Sequence, residues 1–564
     1  MKRSQSEPLA EASPGAGNLV VVKDKLRRIG CVGLLLLIGC VFCLDVFHGI
    51  ELGQDQTAFH PIYRLRQSLA IAISRMHDPS LGGYLAYKSV VDVFNENGFA
   101  QFDNEPGPHL HEPDWEVLLA DGPRLNRIIQ QAIDVPVDIS LPSEIMQANE
   151  LGYADYVYFS FRLFGDKISS FYYFFYLIVA ATCLVYILQF RNNPFLLFVL
   201  VVFLSELYFL ENYSQSYGMQ LHTVTNSRLF SGLSLLPALH VLFLLWQRQP
   251  PSAFTIAGVI VQSVIFGFLL SCRTEAAWQV AMVAAVACGF GILLVLPLRG
   301  RKLSDLVGRL RPLWPALMFL IVVSGYSAVI SLRADSRYAI EPKGHILWHE
   351  VLIGLLSTSP ELRRDYLPDE NITYTDTEVY MAVDHDLKAR DDASSPMVRR
   401  LPNGDPVVDL ALPAGWNEYE KLVRSLALRI VLKHPIAVLK TLPTKIEDQI
   451  RWFDQPDAHS MAWANLRTAV IVVAMGAFIC AVAGGFTVNL ATLGSAALFA
   501  TALLLFAAMT PLLVEPSPHA IGTLFSYLGV IAVVAAYMVV LLVRAAVGLK
   551  SKITGVSLGV KTMQ

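Results

Sequence analysis

Apolar residues gather into ten runs along this chain, each close to the ~20 residues that a helix needs to cross a bilayer with its backbone amides bonded internally. The runs lie at roughly 29–47, 170–189, 195–211, 229–246, 253–271, 275–297, 313–332, 467–487, 492–513 and 520–543. Two long polar stretches, 48–169 and 333–466, interrupt them. The pattern predicts a mainly α, polytopic transmembrane helix bundle of about ten spans with two large extracytoplasmic loops.

The expected organisation follows. Residues 1–28 form a disordered cytoplasmic tail, 29–47 the first transmembrane helix and 48–169 a first outer loop with amphipathic helices. A six-helix bundle occupies 170–332, a second outer region 333–466, three further helices 467–543 and a cytoplasmic tail 544–564. Basic residues set the orientation: Lys23, Lys25, Arg27 and Arg28 precede the first run, and Arg299, Arg301, Lys302, Arg309 and Arg311 lie between the sixth and seventh. Such clusters stay cytoplasmic, which places both termini inside and both loops outside an inner (cytoplasmic) membrane.

Composition agrees with that pattern. Of 564 residues, 54% are hydrophobic and 16% charged, and the mean hydropathy of +0.47 is too high for a soluble domain of this size. The first outer loop carries 17 Asp and Glu against 8 Lys and Arg, an acidic surface that excludes nucleic acid as a partner and leaves membrane lipids and polar substrates. All seven cysteines lie in or beside apolar runs, so the loops have no disulfide framework and rely on packing and hydrogen bonds.

Ionisable groups near membrane depth are costly, and here they collect at one end of the runs. Glu150, Asp155, Arg162, Glu206, Glu211, His222, Arg228, Arg273, Glu275, Glu515 and His519 all fall at expected outer ends. In "NELGYADYVYFSFRLFG", helical spacing puts Leu151, Asp155, Tyr158 and Arg162 on one face, with Gly165 and Asp166 as breaker and cap. That helix is expected to lie along the interface and hold a carboxylate at the mouth of the bundle; the plainer reading is a weak surface contact between Asp155 and Arg162. Arg228 and Arg273 present planar forks suited to phosphate, with His222 nearby in sequence; either arginine would equally serve as a helix anchor.

His345 and His349 are four apart, as a metal pair on one helix face would be, but no third ligand is evident and ordinary structural histidines fit as well. "ALRIVLKHPIAVLKTLPTKIEDQIRWF" is an amphipathic approach to the membrane. Phosphate-binding glycine loops, the dinucleotide fingerprint, the serine-hydrolase elbow and paired CxxC motifs are all missing, which removes support for nucleotide hydrolysis, dinucleotide redox work, elbow-type hydrolysis and zinc ribbons.

"ELGYADYVYFSFRLFGDKISSFYYFFYLIV" resembles the acid, tyrosine and "LFG" approach to the second span of the GT-C superfamily of polytopic glycosyltransferases, and "VLKHPIAVLKTLPTK" resembles the "HP" amphipathic helix before its late spans. The order of one span, a large outer loop, a bundle and a later soluble portion is also similar to that family. The resemblance implies transfer of a sugar from a polyprenyl-phosphate carrier to a glycan, lipid or protein acceptor on the outer face. It implies Asp155, with Glu150 next, as catalytic base; Arg228, Arg273 and His222 on the lipid phosphate; His345 and His349 on substrate or metal; and a divalent ion, Mg or Mn, as an optional cofactor. Family members commonly carry the essential acid just after the first span, where this chain has Asp45, Glu51 and Asp55, so these stand as rivals. Other readings are a surface-polysaccharide polymerase or ligase, and a transporter or channel, which would place charges deep inside broken helices.

Overall fold

In the computed structural model, the structure describes residues 14–55, 63–83, 85–97, 122–138, 144–145, 150–216, 229–295, 308–334, 347–367, 375–390, 398–400, 406–408, 415–453, 468 and 471–480. Seventeen α-helices are found among them. Four are long and apolar enough to cross a membrane, within Asp24–Phe47, Ser169–Phe190, Ala253–Cys272 and Gly308–Arg333, as suits an integral membrane protein.

The first helix, α1 (Pro14–Asp55), is already helical well before residue 29, where a disordered tail was expected, and it runs on past the first apolar run. Its segment Pro14–Gly17 carries proline near the helix start, where a missing N–H costs nothing. After α1 the chain folds as α2 (Tyr63–His77), α3 (Lys88–Glu96), α4 (Gly122–Asp134) and α5 (Leu151–Phe164), with a two-stranded antiparallel ribbon pairing Leu85 with Ile145 and Ala86 with Glu144. These helices share one core with the membrane helices: Leu69, Ile73, Phe94 and Ile129 belong to the same buried cluster as Phe171, Leu204 and Phe266.

The bundle continues with α6 (Ser169–Phe190), α7 (Pro194–Ser216), α8 (Leu229–Leu233), α9 (Leu235–Trp246), α10 (Ala253–Cys272), α11 (Ala277–Val295) and α12 (Trp314–Arg333). Seven of the ten predicted runs thus appear as helices in the expected order, the fourth split between α8 and α9. Only Ile471–Cys480 and Thr468 of the eighth run are described, and the ninth and tenth lie outside the described residues. Hydroxyls inside the apolar helices bond their own backbone one turn back: Thr182 to Ile178 (2.9 Å), Ser205 to Val201 (2.7 Å) and Ser263 to Val259 (2.6 Å). Between helices, Gln262 donates to the Thr182 carbonyl (2.9 Å) and Gln279 to that of Ser231 (2.6 Å). Ile321 and Leu332, by contrast, project outward from α12, as side chains facing lipid tails would.

The described part of the second long polar stretch builds a separate core from α13 (Leu347–Leu356), α14 (Pro360–Tyr366), α15 (Thr375–Ala389), α16 (Gly415–Lys433) and the start of α17 (Pro435–Phe453). Leu352, Leu356, Leu362, Val379, Val423 and Ile430 are its buried contacts. A short hairpin pairs Val398–Arg400 with Pro406–Val408.

Candidate functional site

Helix α5 is where the loop meets the membrane helices. Glu150 stands at its N-cap with an extended backbone, and Asp155 follows one turn later. The helix stops at Gly165, whose φ of +93° is a conformation other residues rarely adopt, while its N–H closes the last turn on the Phe161 carbonyl (2.9 Å). Asp166 does not cap α6; the Ile168 N–H is instead met by Asn126 of α4 (2.9 Å). Gly152 lets α5 lie directly on the end of α10, because any side chain there would overlap Ser271. The Cys272 thiol donates to the Gly152 carbonyl in the same contact (3.2 Å).

That close approach buries the carboxylates. Asp155 is 2% exposed and Glu150 is 8% exposed. Asp155 accepts three hydrogen bonds from two arginines: Arg75 of α2 donates through Nη1 to Oδ1, and Arg333 at the end of α12 donates through Nη1 to Oδ2 (3.1 Å) and Nη2 to Oδ1 (3.2 Å). Glu150 is paired with Arg273, at 3.4 Å from Nη1 to Oε1. Helix ends favour this arrangement: Arg273 caps the C-terminus of α10, Arg333 closes that of α12, and Glu150 stands at the N-terminus of α5, so each charge opposes the partial charge of its own helix. Three guanidinium groups thus surround two carboxylates, and the ends of α2, α5, α10 and α12 are drawn to one place.

The partners differ in freedom. Arg75 is almost fully buried, and its Nε and Nη2 have no hydrogen-bond partner among the described residues. The Arg333 side chain is 46% exposed. The Gly83 N–H donates to the Arg333 carbonyl (2.8 Å), and Gly83 bridges Ala334, which ties the end of α12 to the turn after α2. In that turn, hydrogen bonds from Ser80 and from the Tyr87 hydroxyl hold the Asp78 carboxyl below its ordinary range.

Several expectations are revised by this geometry. α5 is an internal helix over most of its length, not one lying along the interface, because its tyrosines are core residues: Tyr156 donates to the Phe171 carbonyl and packs edge-on against Phe230 (4.7 Å). Asp155 turns inward to Arg75 and Arg333, whereas Arg162 lies at the exposed end and donates to Tyr158 (3.4 Å). Asp155, Glu150 and Arg273 are brought together. His222, Arg228 and His345 lie outside the described residues. His349 is fully buried between Tyr380 and Tyr419, with Nδ1 at 2.5 Å from the Tyr419 hydroxyl, the setting of a structural histidine rather than of one member of a solvent-facing metal pair. Among the described residues, no three His, Cys, Asp or Glu side chains stand close enough to hold a metal. Asp45 is buried in α1; nothing is described of the side chains of Glu51 and Asp55.

Arg75 and Arg333 were not singled out by sequence. Arg333 carried a usable signal, since it follows the seventh apolar run directly, as Arg273 follows the fifth. No protein-family model, no curated protein and no solved structure matches this chain.

Proposed function

We propose that the chain is a membrane-embedded glycosyltransferase of GT-C type, moving a sugar from a polyprenyl-phosphate carrier to an acceptor on the outer face of the membrane. The observation that supports this reading most is Asp155, a buried carboxylate shared by one buried and one half-exposed arginine where three apolar or loop helices end together. In the proposed reaction Asp155 removes the acceptor's proton while guanidinium groups stabilise the departing lipid phosphate. Both Asp155 oxygens already accept hydrogen bonds from Arg333. Arg333 is therefore the partner that gives way: arrival of a phosphate draws it off and frees Oδ2 for the acceptor, while Arg75 keeps the carboxylate aimed through Oδ1. Membrane lipids would hold the carrier's tail, and both termini would lie in the cytoplasm.

The test is transfer of radiolabelled sugar from a polyprenyl-phosphate donor in membranes, comparing wild type with Asp155→Asn and Arg333→Ala at matched helical content. Losing the base is expected to lower the rate about 10²- to 10⁴-fold. Losing Arg333 is expected to raise the KM for the donor about tenfold or more. Unchanged transfer in Asp155→Asn would sink the assignment, and an absence of transfer by the wild type from any such donor would sink the reading itself.

A further inference from the structure

Helices α16 and α17 follow one another with only His434 between them. The His434 N–H still donates to the Ile430 carbonyl (2.8 Å) and the Val438 N–H to that of His434 (3.0 Å); between these two bonds the helix is interrupted, where Pro435 has no N–H for the Val431 carbonyl. One side of this pair is the core of the second outer region, through Tyr419, Val423, Leu426, Ile430 and Ala437. The opposite side is also apolar. At 3.6 residues per turn Leu428 and Leu432 lie about 40° apart on α16, and Ile436 and Leu439 about 60° apart on α17. All four are exposed, Leu432 to 81% and Ile436 to 68%. A helix that is apolar on two opposite faces has a second partner to find.

Charge indicates which. Between Glu420 and Glu447 the chain has six Lys and Arg and no Asp or Glu. Arg424 is engaged over the Trp348 ring (5.7 Å) and Arg429 reaches Asp386 (2.7 Å). Lys433 and Lys440 are exposed and flank the stripe on one side. An exposed leucine and isoleucine stripe edged by lysines, within a stretch of 26 residues that has no acid, has the chemistry of an anionic lipid surface. Connectivity agrees, because this region follows the span that ends at Arg333 and precedes the apolar run that includes the helix Ile471–Cys480. We propose that the Leu428–Leu439 face lies on the anionic headgroup layer of the bilayer that the same chain crosses, seating the second outer region on the membrane. The inference does not depend on the glycosyltransferase reading.

The test places the photo-crosslinker p-benzoylphenylalanine at position 432 or 439 of the full chain, reconstituted in vesicles of phosphatidylcholine with or without phosphatidylglycerol. Both positions are exposed, so the substitutions leave the buried core intact. Lipid adducts are expected by mass spectrometry at both sites, more of them with phosphatidylglycerol. Replacing Lys433 and Lys440 with Gln is expected to reduce that gain by about fivefold per lysine. Crosslinks to residues 481–564, or to a second copy of the chain, would overturn the proposal by showing that protein covers the face. Absence of lipid adducts would overturn it equally.

Discussion

At the scale of single residues, the two arginines on Asp155 are unequal in consequence. Removing Arg75 leaves a buried carboxylate with one partner in a place water does not reach, a defect of about 3–5 kcal/mol. Arg333 is half exposed, so water compensates for its loss and the expected cost is about 1 kcal/mol. Arg75→Met is therefore expected to melt well below wild type in detergent, and Arg333→Met close to it; equal melting temperatures would show that the two contacts are equivalent. Three of the five charged groups in this cluster were legible in the sequence. Asp155 and Glu150 stood out because acids next to an apolar run are expensive, and Arg273 stood out for the same reason. Arg75 did not, since it ends an amphipathic-looking segment, "SLAIAISR", whose burial on all sides depends on α5 packing against it, a contact between residues far apart in the chain.

At the scale of elements, the approach of α5 to α10 rests on Gly152. A valine there would drive its methyl groups into Ser271 and force the helices apart, at a typical overpacking cost of about 1–3 kcal/mol, and it would carry Asp155 away from Arg333. Gly39, in α1, has open space around its missing Cβ, so Gly39→Val serves as the control. Gly152→Val is expected to lower the melting temperature and Gly39→Val to leave it unchanged, read by thermal unfolding of the purified chain; tolerance of both would show that α5 is not seated by this contact. Helix positions were largely readable, since apolar length alone located α6, α10 and α12 to within a few residues. The inward setting of α5 was not. Its tyrosines read equally well as interfacial side chains or as core, and only the neighbouring Phe171 and Phe230, brought up by other helices, decide for the core.

At the scale of the whole molecule, the ion cluster constrains topology more tightly than the basic loops do. Arg273 ends α10 and Arg333 ends α12, yet both reach carboxylates at the start of α5, so the C-termini of α10 and α12 must emerge on the same side as the N-terminus of α6. The turn joining α9 to α10, residues 247–252, then belongs to the opposite side, together with the turn joining α6 to α7 at Arg191. Reporter domains fused after residues 166, 273 and 334 are accordingly expected to give one reading, and fusions after 192 and 249 the other. From the positively charged ends, Arg191 and Arg248 included, the second group is expected to give the cytoplasmic reading. A mixed reading among 166, 273 and 334 would break the cluster apart, because no bilayer-spanning arrangement could then bring Arg273 and Arg333 to Glu150 and Asp155. A uniform reading with the sides exchanged would keep the cluster and put it on the cytoplasmic face, which would rule out chemistry on a carrier exposed to the outer leaflet.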